Sequence, residues 1–517
     1  MGRRGIYSVN HFDPFAPPKS PKESTTDTDS LEFAQCRKEY HNNDDGVCWI
    51  ICALLIVGQM AGGGLVALPK SMVDAGLIGG IILTLVSALA SGYTGVQLGD
   101  NWIIMQDRWP EYRNVCRKPF PEMGYRAVGP IGRALTSALI AVQQFGLAVV
   151  FLLLSAQNIA SFLYAFFEIS TSFCFIVVIV AAVLLPFLML GSPKDFWQAA
   201  IIASVSTSCA VVLIIVGIAH DQPTCGQQAE YGSVKFDKFF LAYGTIMFAY
   251  GGHSGFPTFQ HDMKKPYEFK KSVILGYALV VLMYLPVTIY GFLVYGDALG
   301  SSVIDSIQTK WVQQAANVLI TIHVSFTQII IISPLTLEIE SWCNIPNRFS
   351  VSRFILRTII LICIVFVALT IPKFGVILDL IGGTTITCMT MLLPGIFNMF
   401  IRAAQEKRNM KLATGEARMD SVDAERASIA DVLHFTPKWM LALNLGIIAF
   451  GLIGGIAATI SAITQIVNAS FDTPCYVQVF YGFKNAASAG KVNCCGLFKN
   501  ITTNGQIYDD FCAIPSS

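Results

Sequence analysis

Eleven stretches of this 517-residue chain are apolar over roughly the 20 residues a helix needs to cross the hydrocarbon core of a bilayer. They run near 47–69, 76–99, 131–164, 173–191, 196–219, 239–260, 272–295, 312–340, 354–372, 374–401 and 438–467. Lipid offers the backbone no hydrogen-bond partners, so a chain of this kind satisfies itself by folding into a bundle of helices. The expected fold class is therefore an all-α polytopic membrane protein with 11 transmembrane helices. Composition agrees, with 54% hydrophobic and 13% charged residues. A net charge of +1 provides no basic surplus to attract nucleic acid, which leaves the lipid bilayer and small molecules as partners.

The first 46 residues, beginning MGRRGIYSVNHFDPFAPPKSPKESTTDTDS, are polar and lack the apolar core of a cleavable signal peptide. They are expected to form a disordered cytosolic tail, with the first span serving as an uncleaved anchor. In that orientation DRWPEYRNVCRK, HDMKKPYEFKK and RAAQEKRNMK are inner loops, and about 27 of the 35 Lys and Arg lie on the cytosolic side. An odd number of spans then places residues 468–517 in an extracellular or luminal compartment. That tail carries two glycosylation sequons, at Asn468 and Asn500, together with Cys475, Cys494, Cys495 and Cys512. Cys225, in the polar loop HDQPTCGQQAEYGS, joins these as a disulfide candidate, so one of the five stays unpaired if the others bond. The remaining cysteines show no metal-ligand spacing and are taken as small apolar residues. Neither the plasma membrane nor a lysosomal or vesicular membrane is favoured by a sorting signal.

The first window contains an anomaly. Its segment GQMAGGGLVALP, residues 58–69, places four glycines and a proline where a helix should be most regular, although each glycine costs roughly 1 kcal/mol and a proline roughly 3 kcal/mol in a helix interior. The sixth window repeats the pattern in FAYGGHSGFP, residues 248–257. A helix breaks in lipid only where the freed backbone lines a cavity or is buried in protein. Breaks in helices 1 and 6, the first members of two consecutive five-helix sets, point to a 5+5 inverted repeat plus an eleventh helix, with a site at the bilayer midplane. Close helix packing through small residues is the competing explanation.

A broken helix exposes usable chemistry. The N–H groups around Gly62, Gly63 and Gly64 form a partly positive helix start suited to a carboxylate. The carbonyls near Val57 to Gln59, and those of Phe248 and Ala249, suit an ammonium group or a bare cation. Together these breaks offer both poles of a zwitterion.

These residues carry a family resemblance. GQMAGGGLVALPKSMVDAG resembles the first-helix signature of the amino acid/auxin permease family, and FAYGGHSGFPTFQHDMKKPYEF followed by LVYGD resembles its sixth- and seventh-helix signature. The correspondence covers residues 47–467 and omits both tails. It implies a leucine-transporter-like fold and secondary active transport of amino acids by a monomeric unit, driven by H+ or Na+. Transferred to this chain, the substrate site would comprise Gln59, Met60, Ala61, Gly62, Gly63 and Gly64 from the first break. Phe248, Ala249, Tyr250, Gly251, Gly252 and His253 would supply the second. Where the family often has a hydroxyl-bearing residue between glycines, this chain has Gly62-Gly63-Gly64 and offers backbone only. In the related fold the eighth helix faces the first at a cation site, which makes Thr321, His323, Ser325 and Thr327 coupling-ion candidates.

Other polar residues have simpler alternatives. His253 is a proton carrier, a substrate contact or a hydrogen-bonded brace for the break. Thr321, Ser325 and Thr327 either bind a cation or bond back to their own helix. Asp379, in GVILDLIGGTT, gates access, binds a proton or is an interfacial, solvated acid. Glu168, Asp100, Asp195 and Asp221 stand at span ends, where solvation explains them. No HExxH, GxSxG or phosphate-cradling loop appears, so no catalytic, metal or cofactor site is expected and the chain is not read as an enzyme. The functional alternative is an amino acid sensor, or transceptor, that binds but does not transport.

Overall fold

The computed structural model describes residues 43, 46–114, 116–169, 171–189, 197–345, 350–416, 426–468, 474–477, 494–496 and 501. Asn500 and Cys512 lie outside the described residues, as does nearly all of the 1–46 tail. In chain order the helices are α1 (Trp49–Met60), α2 (Gly63–Ala75), α3 (Leu77–Arg108), α4 (Pro119–Val128), α5 (Pro130–Phe167), α6 (Phe173–Leu188), α7 (Trp197–Cys225) and α8 (Phe236–Ala249). There follow α9 (Phe256–His261), α10 (Phe269–Tyr295), α11 (Lys310–Trp342), α12 (Val351–Thr370), α13 (Phe374–Ile381), α14 (Leu393–Ala413), α15 (Ile429–Phe435) and α16 (Lys438–Asn468). By length and composition, 8 helices among the described residues can cross a membrane, or 9 if the bent pair α1 and α2 is one span. The shorter apolar helix α6 and the interrupted pair α8 and α9 fall at the remaining two sequence windows.

The first break comes where glycine density predicted it. α1 ends at Met60, Ala61 and Gly62 leave helical geometry, and α2 departs at 55° to α1. Pro69 does not end the segment: it lies inside α2, which continues to Ala75 and stops at Gly76, whose φ of 73° suits a residue without a side chain. The break is thus set by Gly62 rather than by the proline. In the second break, α8 ends at Ala249 and α9 starts at Phe256, with Pro257 in its first turn, where a missing N–H costs nothing.

α13 runs through two π-helical turns, Gly382–Ile386 and Cys388–Leu392, into α14. π-turns accommodate an extra residue at local strain and recur at functional sites. Here the turn carries Gly382 against the Gly244 carbonyl of α8, a contact that leaves no room for a side chain. The breaks therefore sit inside a close-packed scaffold built from α3, α5, α7, α10 and α11.

Two disulfides join the C-terminal tail to the helical body. Cys225 pairs with Cys495, and Cys174 pairs with Cys475. Cys494 is disulfide-bonded as well. Cys174 is a correction to the sequence reading, which took it for a small apolar residue; it occupies the second position of α6, at the end of the span where the tail is tethered. Asp221 is a second correction. It is fully buried rather than solvated, and its carboxylate accepts bonds from the Tyr295 hydroxyl at 2.6 Å and the Gln308 N–H at 2.8 Å. The turn between α10 and α11 folds back over it.

Candidate functional site

The two breaks face each other. The backbone of Gly64 lies against Ala249, so that a Cβ on Gly64 would stand 2.5 Å from the Ala249 Cα. A Cβ on Gly252 would stand 2.9 Å from the Met60 Cγ, and one on Gly255 would stand 3.7 Å from the Gln59 Cδ. From α10, the Tyr284 hydroxyl lies 2.8 Å from the Met60 carbonyl oxygen and 2.9 Å from that of Ala249. One hydroxyl, with one proton to donate, thus bridges the freed carbonyl ends of both interrupted helices.

The freed groups differ in part from those expected. Of the Val57 to Gln59 carbonyls, that of Val57 accepts the Ala61 N–H at 2.8 Å, and the Phe248 carbonyl accepts the Gly251 N–H at 3.1 Å. Each has spent one lone pair inside its own break. The Met60 carbonyl does the same, accepting the Gly62 N–H at 3.0 Å; it and the Ala249 carbonyl are the two that also meet the Tyr284 hydroxyl. At the start of α2, Gly63 and Gly64 occupy the first two helical positions, where N–H groups have no intrahelical acceptor. A Cβ at Gly63 would lie 3.2 Å from the Phe151 ring of α5, which borders this helix start.

The second break is braced by side chains. His253 is fully buried, with its Nε2 3.0 Å from the Ser91 carbonyl and 3.1 Å from the Thr94 hydroxyl, both on α3. Because the Ser91 carbonyl only accepts, Nε2 carries the proton and donates. The ring also stacks on Phe256 at 4.7 Å. These contacts tie the break to α3 and leave Nδ1 without a hydrogen-bond partner. Gln143 of α5 donates to the Ser254 hydroxyl at 3.3 Å. Tyr250 stacks with Tyr277 at 6.1 Å and approaches Tyr284 at 5.6 Å, an aromatic wall beside the junction. Gly251 packs on Ile386 of the first π-helical turn.

Of the coupling-ion candidates on α11, His323 meets the first break at Gly62, and Thr327 reaches the same imidazole from one turn along the helix. At 3.6 residues per turn, positions 323 and 327 share a face that 321 and 325 leave. Thr321 bonds back to the Asn317 carbonyl at 2.7 Å. His323 is fully buried; its Nδ1 lies 2.7 Å from the Thr207 hydroxyl and 2.9 Å from the Ala203 carbonyl, both on α7. With Nδ1 donating to that carbonyl, Nε2 is the accepting nitrogen; it lies beside Gly62 and takes the Thr327 hydroxyl at 3.4 Å. Asp379 is half-buried near the outer end of α13. Its carboxylate accepts the Thr245 hydroxyl of α8 at 2.5 Å, beside the Lys70–Asp74 pair at the far end of α2.

Tyr284, Thr207 and Phe151 escaped the sequence reading. Phe151 is one apolar residue among many in AVVFLLL, and for the other two the signal available was only a hydroxyl within VLMYLPV or SVSTSCA. Residue type alone does not say which break such a hydroxyl reaches. Asn468 is the exposed last residue of α16.

Comparison with known proteins follows the same lines. Residues 46–419 match the profile of a family described as transmembrane amino acid transporter protein. The chain is 24% identical over 352 residues to amino acid transporter AVT1B of Arabidopsis thaliana, covering 65% of this chain and 62% of that protein. It is also 24% identical over 350 residues to amino acid transporter AVT1C of the same plant, covering 65% of this chain and 60% of the relative. The matches thus span about three fifths of the length of these two curated relatives. In fold, the chain resembles Mhp1, a nucleobase-cation-symport-1 family transporter in a closed conformation with bromovinylhydantoin bound. The TM-score is 0.50 at 12% identity, over 85% of this chain and 97% of that one.

Proposed function

The chain belongs to the transmembrane amino acid transporter family, the amino acid/auxin permeases, and on that premise we propose that it moves amino acids across a membrane by alternating access. Family and fold are those of transporters and not of enzymes. The observation that carries the proposal is the meeting of the two broken helices at Tyr284, where the Met60 and Ala249 carbonyls flank one hydroxyl. The start of α2 at Gly63 and Gly64 receives the substrate carboxylate, and these carbonyls receive its ammonium group. Tyr250, His253 and Phe248 supply the walls.

In this reading α1 with α2 is the first span and α8 with α9 the sixth, in an eleven-span, 5+5 inverted repeat completed by α16. The leader of 1–46 is cytosolic, residues 47–467 form the transport unit, and the tail from 468 is extracellular or luminal. The Cys174–Cys475 and Cys225–Cys495 bonds support that placement, because disulfides persist in oxidising compartments. The transport unit is a single chain in the plasma membrane or a lysosomal or vesicular membrane. The driving ion is H+ or Na+. His323, with its accepting nitrogen beside Gly62, supports a proton, whereas the break carbonyls with Thr327 would serve sodium.

The test is uptake of radiolabelled L-amino acids into proteoliposomes under imposed proton or sodium gradients. A transporter concentrates substrate inside; a sensor binds it at the same site without accumulation.

A further inference from the structure

Where α4 turns into α5, guanidinium groups and aromatic rings alternate. Arg108, the last residue of α3, lies 4.5 Å from the centre of the Trp109 ring, and Arg126 of α4 lies 4.2 Å from the same ring. Tyr125 comes next, with Arg133 of α5 at 4.0 Å from its ring centre, Arg426 at 5.0 Å and Arg126 at 5.6 Å. Arg426 belongs to the segment that leads into α15. It closes on the corner at Gly129, where φ is 92° and a Cβ would stand 2.5 Å from the Arg426 Nη1. The guanidinium thus occupies the space that a side chain at this turn would need.

Stacking on a ring engages the flat face of a guanidinium and leaves its N–H edges for acceptors. Arg126 turns those edges inward, to Glu111 and to the Tyr112 hydroxyl at 2.8 Å. Arg133 gives one edge to Glu122 at 2.8 Å and is otherwise exposed. Arg426 is exposed and has no acidic partner among the described residues. Two cations are therefore held in place by one tyrosine ring with donor edges still to offer.

The rim of this corner is apolar and faces outward. Val128 and Ile131 flank the turn, Leu135 follows one helical turn into α5, and all three are exposed. Beside them Ile429 and Leu433, four residues apart on one face of α15, are exposed while Val432 is buried. A soluble anion makes no use of such a rim. A diacyl lipid does, because its phosphate meets guanidinium edges while its chains continue along the apolar start of a span.

We propose that the α4–α5 corner and the entry to α15 bind an anionic diacyl phospholipid. The Arg133 and Arg426 edges take the headgroup phosphate, and the acyl chains lie along Ile131 and Leu135. Anchoring on Tyr125 lowers the ordering cost of the two long side chains, so the site is prepared before the lipid arrives. On the orientation proposed above, the corner faces the cytosolic leaflet, where anionic lipid is concentrated. The lipid then ties the segment after α14 to the start of α5, two parts of the chain far apart in sequence.

The test titrates the purified full chain in native mass spectrometry with 1-palmitoyl-2-oleoyl phosphatidylserine, with the matching phosphatidylcholine, and with glycerophosphoserine, which is the headgroup without chains. Wild type is expected to bind the serine lipid about twentyfold more tightly than the choline lipid, at about fivefold per arginine. Arg133→Gln with Arg426→Gln should bring the two lipids to equal affinity. Equal affinities in wild type, or an unchanged preference in the double variant, would overturn the proposal. Glycerophosphoserine binding as tightly as the serine lipid would also overturn it, since the site would then serve a soluble phosphate. Arg426→Gln alone covers misfolding: the residue is exposed, and its loss should cost about fivefold in serine-lipid affinity at an unchanged thermal midpoint. No change in affinity there would remove Arg426 and the site with it. Uptake does not enter these readouts, so a failure of the transport reading leaves the lipid result standing.

Discussion

The imidazole of His323 occupies the space beside Gly62 that any side chain at that position would need. The ring cannot retreat freely, because its other nitrogen is fixed to Ala203 and Thr207 of α7. Gly62→Ala is therefore expected to overpack the break, at a cost of about 1–3 kcal/mol, and to abolish uptake. Gly63→Ala meets only the edge of Phe151 at 3.2 Å, which needs to yield by a few tenths of an ångström, and should retain most activity. Thermal midpoints and uptake rates of the two variants check this; equal losses would remove the ring as the constraint.

Tyr284→Phe keeps the ring and removes the hydroxyl shared by the Met60 and Ala249 carbonyls. Stability should fall by only about 0.5–1.5 kcal/mol, the net worth of one hydrogen bond. Uptake should fall much further, because both carbonyl ends lose the group that sets their spacing. A variant with wild-type kinetics would show that the hydroxyl does not organise the site.

Much of the architecture was legible because glycine and proline are costly within an apolar run, and their position alone announced both breaks. The windows were legible for the same reason of length and polarity. What stayed hidden depends on contacts between distant segments. Cys174 looks like a small lipid-facing residue in FCFIVV until the tail returns to it. Asp221 looks solvated at a span end until the α10–α11 turn covers it. Thr321 and Thr327 are equivalent hydroxyls in sequence, and only the packing of α11 sends one to the His323 imidazole and the other back to Asn317.

Asp305 lies in the turn between α10 and α11, outside the spans, where the Gln157 amide donates to its carboxylate at 2.8 Å. Burial pushes its carboxyl from the ordinary 3.8 up to about 7. A carboxyl raised in the folded state adds no penalty below the unfolded value; the penalty grows between about pH 4 and about pH 7 and is complete above that. Asp305→Asn should therefore be more heat-stable than wild type at about pH 8 and no different at about pH 4. A stability difference that is flat with pH would contradict the assignment.

The tail linkages predict a specific peptide map. Digestion without reductant should release Cys174 joined to Cys475 and Cys225 joined to Cys495. Exchanged partners, or free thiols at Cys174 and Cys225, would overturn the tethering of the tail to the helical body.

The most direct measurement is gradient-driven accumulation of radiolabelled L-amino acids in proteoliposomes, with wild type compared with Gly63→Leu. A leucine at the first turn of α2 would push Phe151 into the junction and cover the N–H groups offered to the carboxylate. Wild type should concentrate at least one amino acid above its external level, and folded Gly63→Leu should concentrate none. Wild-type kinetics in that variant would contradict the central claim that two broken helices hold the substrate between their ends.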